Sequence, residues 1–185
     1  MRGPGMATAT EVPLSEYLES SYRPDRDWID GEVRERNMGE GPHSVLQKFL
    51  TMFLGLRESE WKILVLPEQR VQTSETHYRI PDLCLTRSSA PFEQIVRTPP
   101  LLCIEILSKD DRMTEMQERV DDYLEMGVAM VWILDPRRRK AYRTDDRGAI
   151  ERVGETLTVP GTEIRVAVMA VFEQLNQLEG AAQSS

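Results

Sequence analysis

Cysteine and histidine are scarce in this chain, and long apolar runs are missing. Its two cysteines do not make a disulfide framework, and no CxxC or Cys/His zinc spacing occurs. Its two histidines are too few for a multi-histidine metal centre. No run of eighteen apolar residues exists, so we expect no membrane-spanning segment. This composition indicates a reducing, cytoplasmic location.

Positive charge is also in deficit. The chain has 23 Lys and Arg against 31 Asp and Glu, which gives a formal net charge of −8. This balance argues against sequence-independent nucleic-acid binding through bulk charge. It does not exclude a nuclease whose acidic site is offset by a local strip of basic residues. The strongest basic cluster consists of Arg137, Arg138, Arg139 and Lys140. A role in contacting a phosphate backbone and a role in solubility alone are about equally consistent with it.

The length of 185 residues and the hydrophobic content of 40% predict one domain with a sizeable core. We expect a flexible N-terminal tail over residues 1–12, a single domain over 13–179 and a flexible C-terminal tail over 180–185. Periodicity predicts helices over 13–20, 44–57, 110–126 and 166–178. It predicts strands or hairpins over 27–36, 63–66, 69–73, 78–85, 101–108, 128–134, 140–143 and 150–153. This order indicates an α/β domain with a mixed sheet.

Two carboxylates lie inside apolar strand-like runs. Asp82 occurs in the run over 78–85 and Glu105 in the run over 101–108. A lone buried carboxylate is costly, so each needs a partner, a metal or a proton. If the runs pair antiparallel with Asp82 opposite Glu105, Cys84 lies opposite Cys103 and all four side chains share one face.

Paired carboxylates of this kind suit a hard cation. Mg²⁺ prefers oxygen ligands, keeps several waters, and would activate water and neutralise charge on a phosphate. The alternative is that one acid caps a turn while the other pairs with an arginine. Glu105 between two isoleucines favours the functional interpretation.

The familiar Asp…Glu-x-Lys nuclease pattern lacks its lysine here, because Leu107 occupies that position. Two residues can substitute: Lys109 just past the strand, and Arg119 on the next helix. Arginine cannot act as a base, but its fixed fork suits phosphate. Helical spacing alone favours a pairing of Arg119 with Glu115 or Asp122.

Other polar residues carry weaker signals. The acids of the helix over 110–126 are typical of a solvated face. His43 is more typical of a polar residue at a helix end than of a catalytic group. Asp27 and Glu68 lie in strand-like segments, where an exposed side chain is the default.

The motifs resemble a known family when they are taken in order. They are Asp-Trp-Ile-Asp-Gly-Glu-Val (27–33), Pro-His-Ser-Val-Leu-Gln (42–47), Ile-Pro-Asp-Leu-Cys (80–84), Cys-Ile-Glu-Ile-Leu-Ser (103–108) and Tyr-Leu-Glu-Met-Gly-Val-Ala-Met-Val-Trp-Ile-Leu-Asp-Pro (123–136). The chain is similar in these segments to the Uma-type restriction endonuclease family of the PD-(D/E)XK nuclease superfamily. The similarity extends from about residue 14 to 175.

The resemblance implies a restriction-endonuclease-like fold, with a central mixed β-sheet flanked by α-helices and a C-terminal hairpin and helix. It implies Mg-dependent (or Mn-dependent) hydrolysis of DNA phosphodiester bonds. Asp82 and Glu105 match the metal-binding acids, and the backbone carbonyl of Ile106 joins them. The family moves its lysine to the following helix, where this chain has Arg119. Asp27 matches a position usually held by glutamate, and His43 matches a recurring histidine.

Two alternatives to an active nuclease remain. A catalytically impaired DNA-binding or protein-interaction module would keep the fold and lose the chemistry, which Arg119 and Leu107 favour. A hydrolase of another phosphorylated substrate would keep the acids. The intact acid pair favours the nuclease. We expect DNA to be the partner, and we expect no association with a membrane. A homodimer is possible.

Overall fold

The computed structural model describes residues 11–36, 39–145 and 147–183, and within these ranges it contains five helices. The helices are α1 Leu14–Glu19, α2 Gly41–Gly55, α3 Glu58–Trp61, α4 Met113–Met126 and α5 Val168–Gln183. Four of the five correspond to predicted helices, and the single turn of α3 was not predicted. None of the helices in the described ranges is both long enough and apolar enough to cross a membrane.

A six-stranded mixed sheet forms the centre of the molecule, in the order β10-β9-β8-β7-β6-β3. Its strands are β3 Ile63–Pro67, β6 Leu83–Arg87, β7 Leu102–Ile106, β8 Val131–Asp135, β9 Lys140–Thr144 and β10 Ile150–Val153. β7 and β8 are parallel, and the other neighbours are antiparallel. Parallel neighbours need a crossover connection, unlike the two strands of an antiparallel hairpin, and α4 provides it between β7 and β8. The predicted α/β class with a mixed sheet is confirmed.

Two smaller sheets flank this centre. A four-stranded sheet has the order β2-β1-β5-β4, and a two-stranded sheet pairs β11 with β12. The strands are β1 Asp27–Ile29, β2 Glu32–Arg34, β4 Val71–Gln72, β5 His77–Arg79, β11 Thr156–Thr158 and β12 Arg165–Ala167. The hairpin predicted at Asp30–Gly31 is confirmed, since both residues have positive φ (48° and 90°) between paired strands.

The two faces of the central sheet are covered by different helices. One face packs in a large core with α2 and α5, to which Leu46, Leu50 and Phe172 contribute. The opposite face packs against α4 through Met116, Val120 and Tyr123. Strand alternation divides β7 between the faces, so Leu102, Ile104 and Ile106 point to the large core while Cys103 points to α4. Glu105 therefore also points toward α4.

The predicted pairing of the two acid-bearing strands is confirmed. β6 and β7 are antiparallel neighbours, and Cys84 lies opposite Cys103. Both thiols are buried and free, as expected for reduced cysteines. Asp82 lies one residue before β6, at the point where the same register continues to Glu105.

The ends of the domain differ from the predicted bounds. Val12 is bonded through its amide to the carbonyl of Gly31, so the end of the predicted N-terminal tail contacts the first hairpin. Residues 1–10 of that tail lie outside the described residues, as does Asp146 in the predicted turn of the β9–β10 hairpin. α5 continues to Gln183 and thus includes the first four residues of the predicted C-terminal tail, whose last two residues are also outside the described ranges.

Candidate active site

Asp82 and Glu105 meet at the wall of one small cavity between β7 and α4. Both carboxylates are almost fully buried, at 2% and 3% exposure. The cavity has a volume of ≈ 20 Å³ and is also lined by Arg36, His43 and Arg119. A volume of this size holds one water-sized body. The sheet register thus brings the two predicted acids into one site.

The Asp82 carboxylate is surrounded by donors. Its Oδ1 accepts a hydrogen bond from the Arg36 guanidinium at 2.6 Å and lies 3.2 Å from Nε2 of His43. Its Oδ2 accepts the backbone N–H of Ile106 at 2.7 Å. Burial alone would raise the pKa of Asp82, but the His43 hydrogen bond, the Arg36 charge and the Ile106 amide outweigh it and lower that pKa. Asp82 is therefore ionised across the physiological pH range.

Glu105 has a different environment. Its Oε1 accepts a 2.6 Å hydrogen bond from the Tyr123 hydroxyl and lies 3.5 Å from Nη1 of Arg119. Burial raises the pKa of Glu105 to about 7, and the negative charge of Asp82 adds to this rise. The Arg119 charge opposes the rise without cancelling it. A positive charge beside a carboxyl lowers its pKa, but for Glu105 desolvation is the larger effect and the net direction is a rise.

His43 is part of this site and not merely a polar residue at a helix end. It lies in the first turn of α2 with a side chain that is 12% exposed and directed at Asp82. Burial alone would lower the pKa of His43, but the hydrogen bond to Asp82 and its charge raise it. The imidazole therefore favours its protonated form beside the carboxylate.

Arg119 connects the acid pair to Asp27. Its Nη2 lies 2.9 Å from Oδ2 of Asp27, while Nη1 faces Glu105. The pairing of Arg119 with Glu115 or Asp122, which helical spacing favoured, is thus replaced by pairing with two buried acids from other elements. Spacing along one helix cannot reveal partners that come from β1 and β7.

The expectation of an exposed Asp27 is wrong. This side chain is 1% exposed and accepts hydrogen bonds from Arg79 at 3.1 Å and from the Ile80 amide at 3.1 Å. Arg79 is also buried and donates to Asp122 at 2.6 Å. Two arginines hold Asp27 because a single buried charge would otherwise be uncompensated.

The remaining predicted site residues lie outside the small cavity. Lys109 is about half exposed and pairs with Glu40 at 3.0 Å. Glu68 is exposed, as expected, and accepts a hydrogen bond from Gln47, which also donates to the backbone carbonyl of Asp82. Arg139 pairs with Glu179 on α5. Arg137 and Arg138 line one cavity together, whereas Arg139 is held by α5, so the basic cluster over residues 137–140 is not one surface.

Sequence reasoning missed three members of the site. Arg36 follows β2 and reaches Asp82, Arg79 ends β5 and reaches Asp27, and Tyr123 on α4 reaches Glu105. A buried acid needs a partner, so the arginines and tyrosines near the ends of apolar segments were the available signal. Which of them would serve depends on how the small sheet lies against α4.

The donor chemistry of the cavity fits a magnesium ion. Mg²⁺ is usually bound by one or two carboxylates and completes its octahedron with waters and phosphate oxygens. Three carboxylates line the cavity, those of Asp82, Glu105 and Asp111, and Asp111 accepts the backbone amide of Ser108. The described residues include no cluster of three or more His, Cys, Asp or Glu side chains suited to a metal. Arg36 competes for Oδ1 of Asp82, while Oδ2 has only the Ile106 amide as its observed partner. The cavity thus has room for one ion held by two protein carboxylates.

These features define a restriction-endonuclease-like fold with a buried acidic pair near the ends of two neighbouring central strands of a mixed sheet. A solved structure described as "a putative nuclease belonging to DUF820 from Anabaena variabilis ATCC 29413" has this fold, with a TM-score of 0.77. The match has 24% sequence identity and covers 89% of this chain and 99% of that chain. Among curated proteins, no match is found.

The chain belongs to the Uma2 family, described as "Putative restriction endonuclease", whose pattern matches residues 14–167. Most of the domain, including the acid pair and Arg119, lies within the matched range. Membership in this family supports an endonuclease.

Proposed function

We propose that this protein is a metal-dependent endonuclease that hydrolyses phosphodiester bonds in DNA. The observation that carries the proposal is the pair of buried carboxylates in one small cavity, with Arg36 beside Asp82 and Arg119 beside Glu105. Burial of two acids beside each other costs free energy that a purely structural role would avoid. A pKa of about 7 for one of them is typical of functional sites.

Asp82 and Glu105 would hold Mg²⁺ or Mn²⁺, together with the backbone carbonyl of Ile106 and waters. When bound, the cation would supply a polarised water and neutralise charge on the phosphate. Asp82 is ready for this role because its lowered pKa keeps it ionised. Glu105 must lose a proton near neutral pH, and Tyr123 and Arg119 orient its carboxylate for that purpose.

Arg119 would take the place of the lysine that the family pattern expects. Its guanidinium cannot be a base, so we assign it to the phosphate oxygens that gain charge in the transition state. Oδ2 of Asp27 lies 2.9 Å from Nη2 of Arg119 and holds the guanidinium in place, so we assign Asp27 as a positioning residue. Lys109 is the weaker candidate, because it pairs with Glu40 and does not line the small cavity.

His43 and Glu68 have supporting roles in this proposal. His43 holds Asp82 from the α2 side at 3.2 Å. Glu68 acts only indirectly, because it accepts a hydrogen bond from Gln47, and Gln47 in turn donates to the backbone carbonyl of Asp82. We expect changes at His43 to affect activity more than changes at Glu68.

One observation favours a second candidate, a DNA-binding module without catalytic activity. Arg36 and Arg119 place two positive charges beside the two carboxylates, which weakens the attraction for a cation. A lysine in place of Arg119 would restore the expected family pattern. Arg119→Lys therefore separates the candidates.

Cleavage of supercoiled plasmid with Mg²⁺ or Mn²⁺ tests the proposal. Asp82→Asn and Glu105→Gln preserve side-chain volume and should abolish both cleavage and calorimetric Mg²⁺ binding. Glu60→Gln, which changes an exposed carboxylate on α3, is the matched control and should retain both. Arg119→Lys should preserve or raise cleavage. If the wild type shows no cleavage with any divalent metal and Arg119→Lys restores none, the non-catalytic module is the better assignment.

A further inference from the structure

A second and larger cavity lies beside the acid pair, between the β7–α4 connection and the β8–β9 turn. Its volume is ≈ 410 Å³. We refer to this cavity as the basic cleft. The polar residues of its wall are Ser108, Lys109, Asp111, Asp135, Arg137 and Arg138. Ser108 and Asp111 also belong to the wall of the small cavity, so the two cavities adjoin.

The two carboxylates of the basic cleft accept hydrogen bonds from backbone amides. Asp135 is 4% exposed and accepts the backbone amides of Arg137 and Arg138 at 3.0 Å and 2.9 Å. Asp111 accepts the backbone amide of Ser108. These bonds shape the two loops and reduce what the carboxylates can offer to a ligand.

The positive charges of the cleft are more available. The Arg138 side chain is 73% exposed, and its guanidinium is 3.5 Å from Asp135. Lys109 is 55% exposed, and its pairing with Glu40 is a surface ion pair of small net value. Arg137 donates one N–H of its guanidinium to the backbone carbonyl of Lys109 at 3.1 Å, which orients the group and leaves its charge in place. Lys109 and Arg138 are both exposed charges of the cleft, and a phosphate can displace their ion pairs.

Ser108 is an independent indication of a ligand. Its hydroxyl oxygen is buried and has no hydrogen-bond partner among the described parts of the chain. An unpaired buried polar atom is destabilising, so such groups are normally bonded. Ser108 belongs to the walls of both the small cavity and the basic cleft, so its unpaired hydroxyl is close to both and can turn to a phosphate oxygen that binds there.

The opposite side of the acid pair is unsuited to a polyanion. A third cavity adjoins it there, and its wall contains Asp27, Glu35, Glu115 and Glu118. Beyond Arg119, its arginines are Arg79, which is held by Asp27 and Asp122, and Arg34, which pairs with Glu118. Since the whole chain is also negative, a polyanion would favour the basic cleft.

We propose that the basic cleft binds the DNA phosphodiester backbone next to the phosphate that reacts at the acid pair. Ser108 donates its hydroxyl to a phosphate oxygen, and Lys109 and Arg138 neutralise the flanking phosphates. This inference rests on the proposed function and narrows it, because it assigns the path of the strand to one side of the site. It also excludes Arg139, whose guanidinium is held by α5.

The test is the salt dependence of DNA binding, measured by fluorescence anisotropy with a labelled duplex in EDTA. Lys109→Gln and Arg138→Gln should each lower the slope of log K against log salt by about one. Arg152→Gln removes an exposed arginine on β10 that is outside the cleft, and its slope should equal that of the wild type. Ser108→Ala should weaken binding by about tenfold without changing the slope, because it removes a neutral donor.

The outcomes separate this inference from the proposed function. Equal slopes for wild type, Lys109→Gln and Arg138→Gln overturn the assignment of the cleft, even if plasmid is cleaved. A lowered slope in both variants supports the cleft, even if no metal gives cleavage and the nuclease assignment fails. Unchanged affinity in Ser108→Ala, with native thermal melting, overturns the role of the hydroxyl.

Discussion

Replacing Glu105 with glutamine tests whether the burial of this acid governs the pH dependence of stability. The folded-state pKa of Glu105 is about 7 against an ordinary value of 4.5. The folded protein therefore binds more protons than the unfolded chain between these values, and the free energy of unfolding falls as the pH rises through that window. Each pKa unit corresponds to about 1.4 kcal/mol, so the fall attributable to Glu105 is about 3 kcal/mol.

Urea denaturation from pH 4 to 8 measures this fall. In Glu105→Gln the fall between pH 4.5 and 7 should be absent, whatever the absolute stability of the variant. A smaller decline above pH 6.5 should persist, because the raised pKa of His43 also contributes stability that is lost as His43 deprotonates. Glu60→Gln should reproduce the wild-type curve. If Glu105→Gln shows the full wild-type fall, Glu105 titrates near its ordinary pKa and the desolvation argument is refuted.

Three further substitutions test the charge network and one helix end. Arg79→Met should lower the free energy of unfolding by about 3 kcal/mol in urea, because Asp27 and Asp122 each lose one of their two partners; Arg165→Met, which changes an exposed arginine, should change it little. Arg36→Met should raise calorimetric Mg²⁺ affinity roughly tenfold, since it removes a positive charge from Asp82, and an unchanged affinity would show that Arg36 does not compete with metal. Gly127→Ala should cost about 1 kcal/mol in thermal or chemical melts, because Gly127 ends α4 at φ 99°; a neutral effect would contradict this.

The sequence was sufficient for the central sheet and for the acid pair. Strand pairing follows from alternation, and the equal sums of the paired residue numbers placed Cys84 opposite Cys103 and Asp82 near Glu105. α4 was predictable because its apolar stripe ends at a glycine that adopts the left-handed conformation. These features depend on local patterns and on one pairing of neighbouring strands.

The sequence was insufficient for the arginine partners and for the short elements. Arg36 contacts Asp82 across 46 residues of sequence, and Arg79 and Arg119 contact Asp27 across 52 and 92 residues. These contacts form only because the small sheet packs beside α4. Asp27 looked exposed because alternation in a three-residue strand carries little information. α3 and the β11–β12 pair were missed for the same reason, since one turn or three residues give no measurable period.

The attachment of Asp27 to Arg119 makes the site sensitive to events in a hairpin that does not line the small cavity. β1 pairs with β5 through Trp28 and Tyr78, and this register points Asp27 inward. A slip of one residue would turn Asp27 to the other face of its sheet and leave Arg119 facing Glu105 alone. An insertion or deletion within β1 would therefore release Arg119 from Asp27 without changing any residue that lines the small cavity.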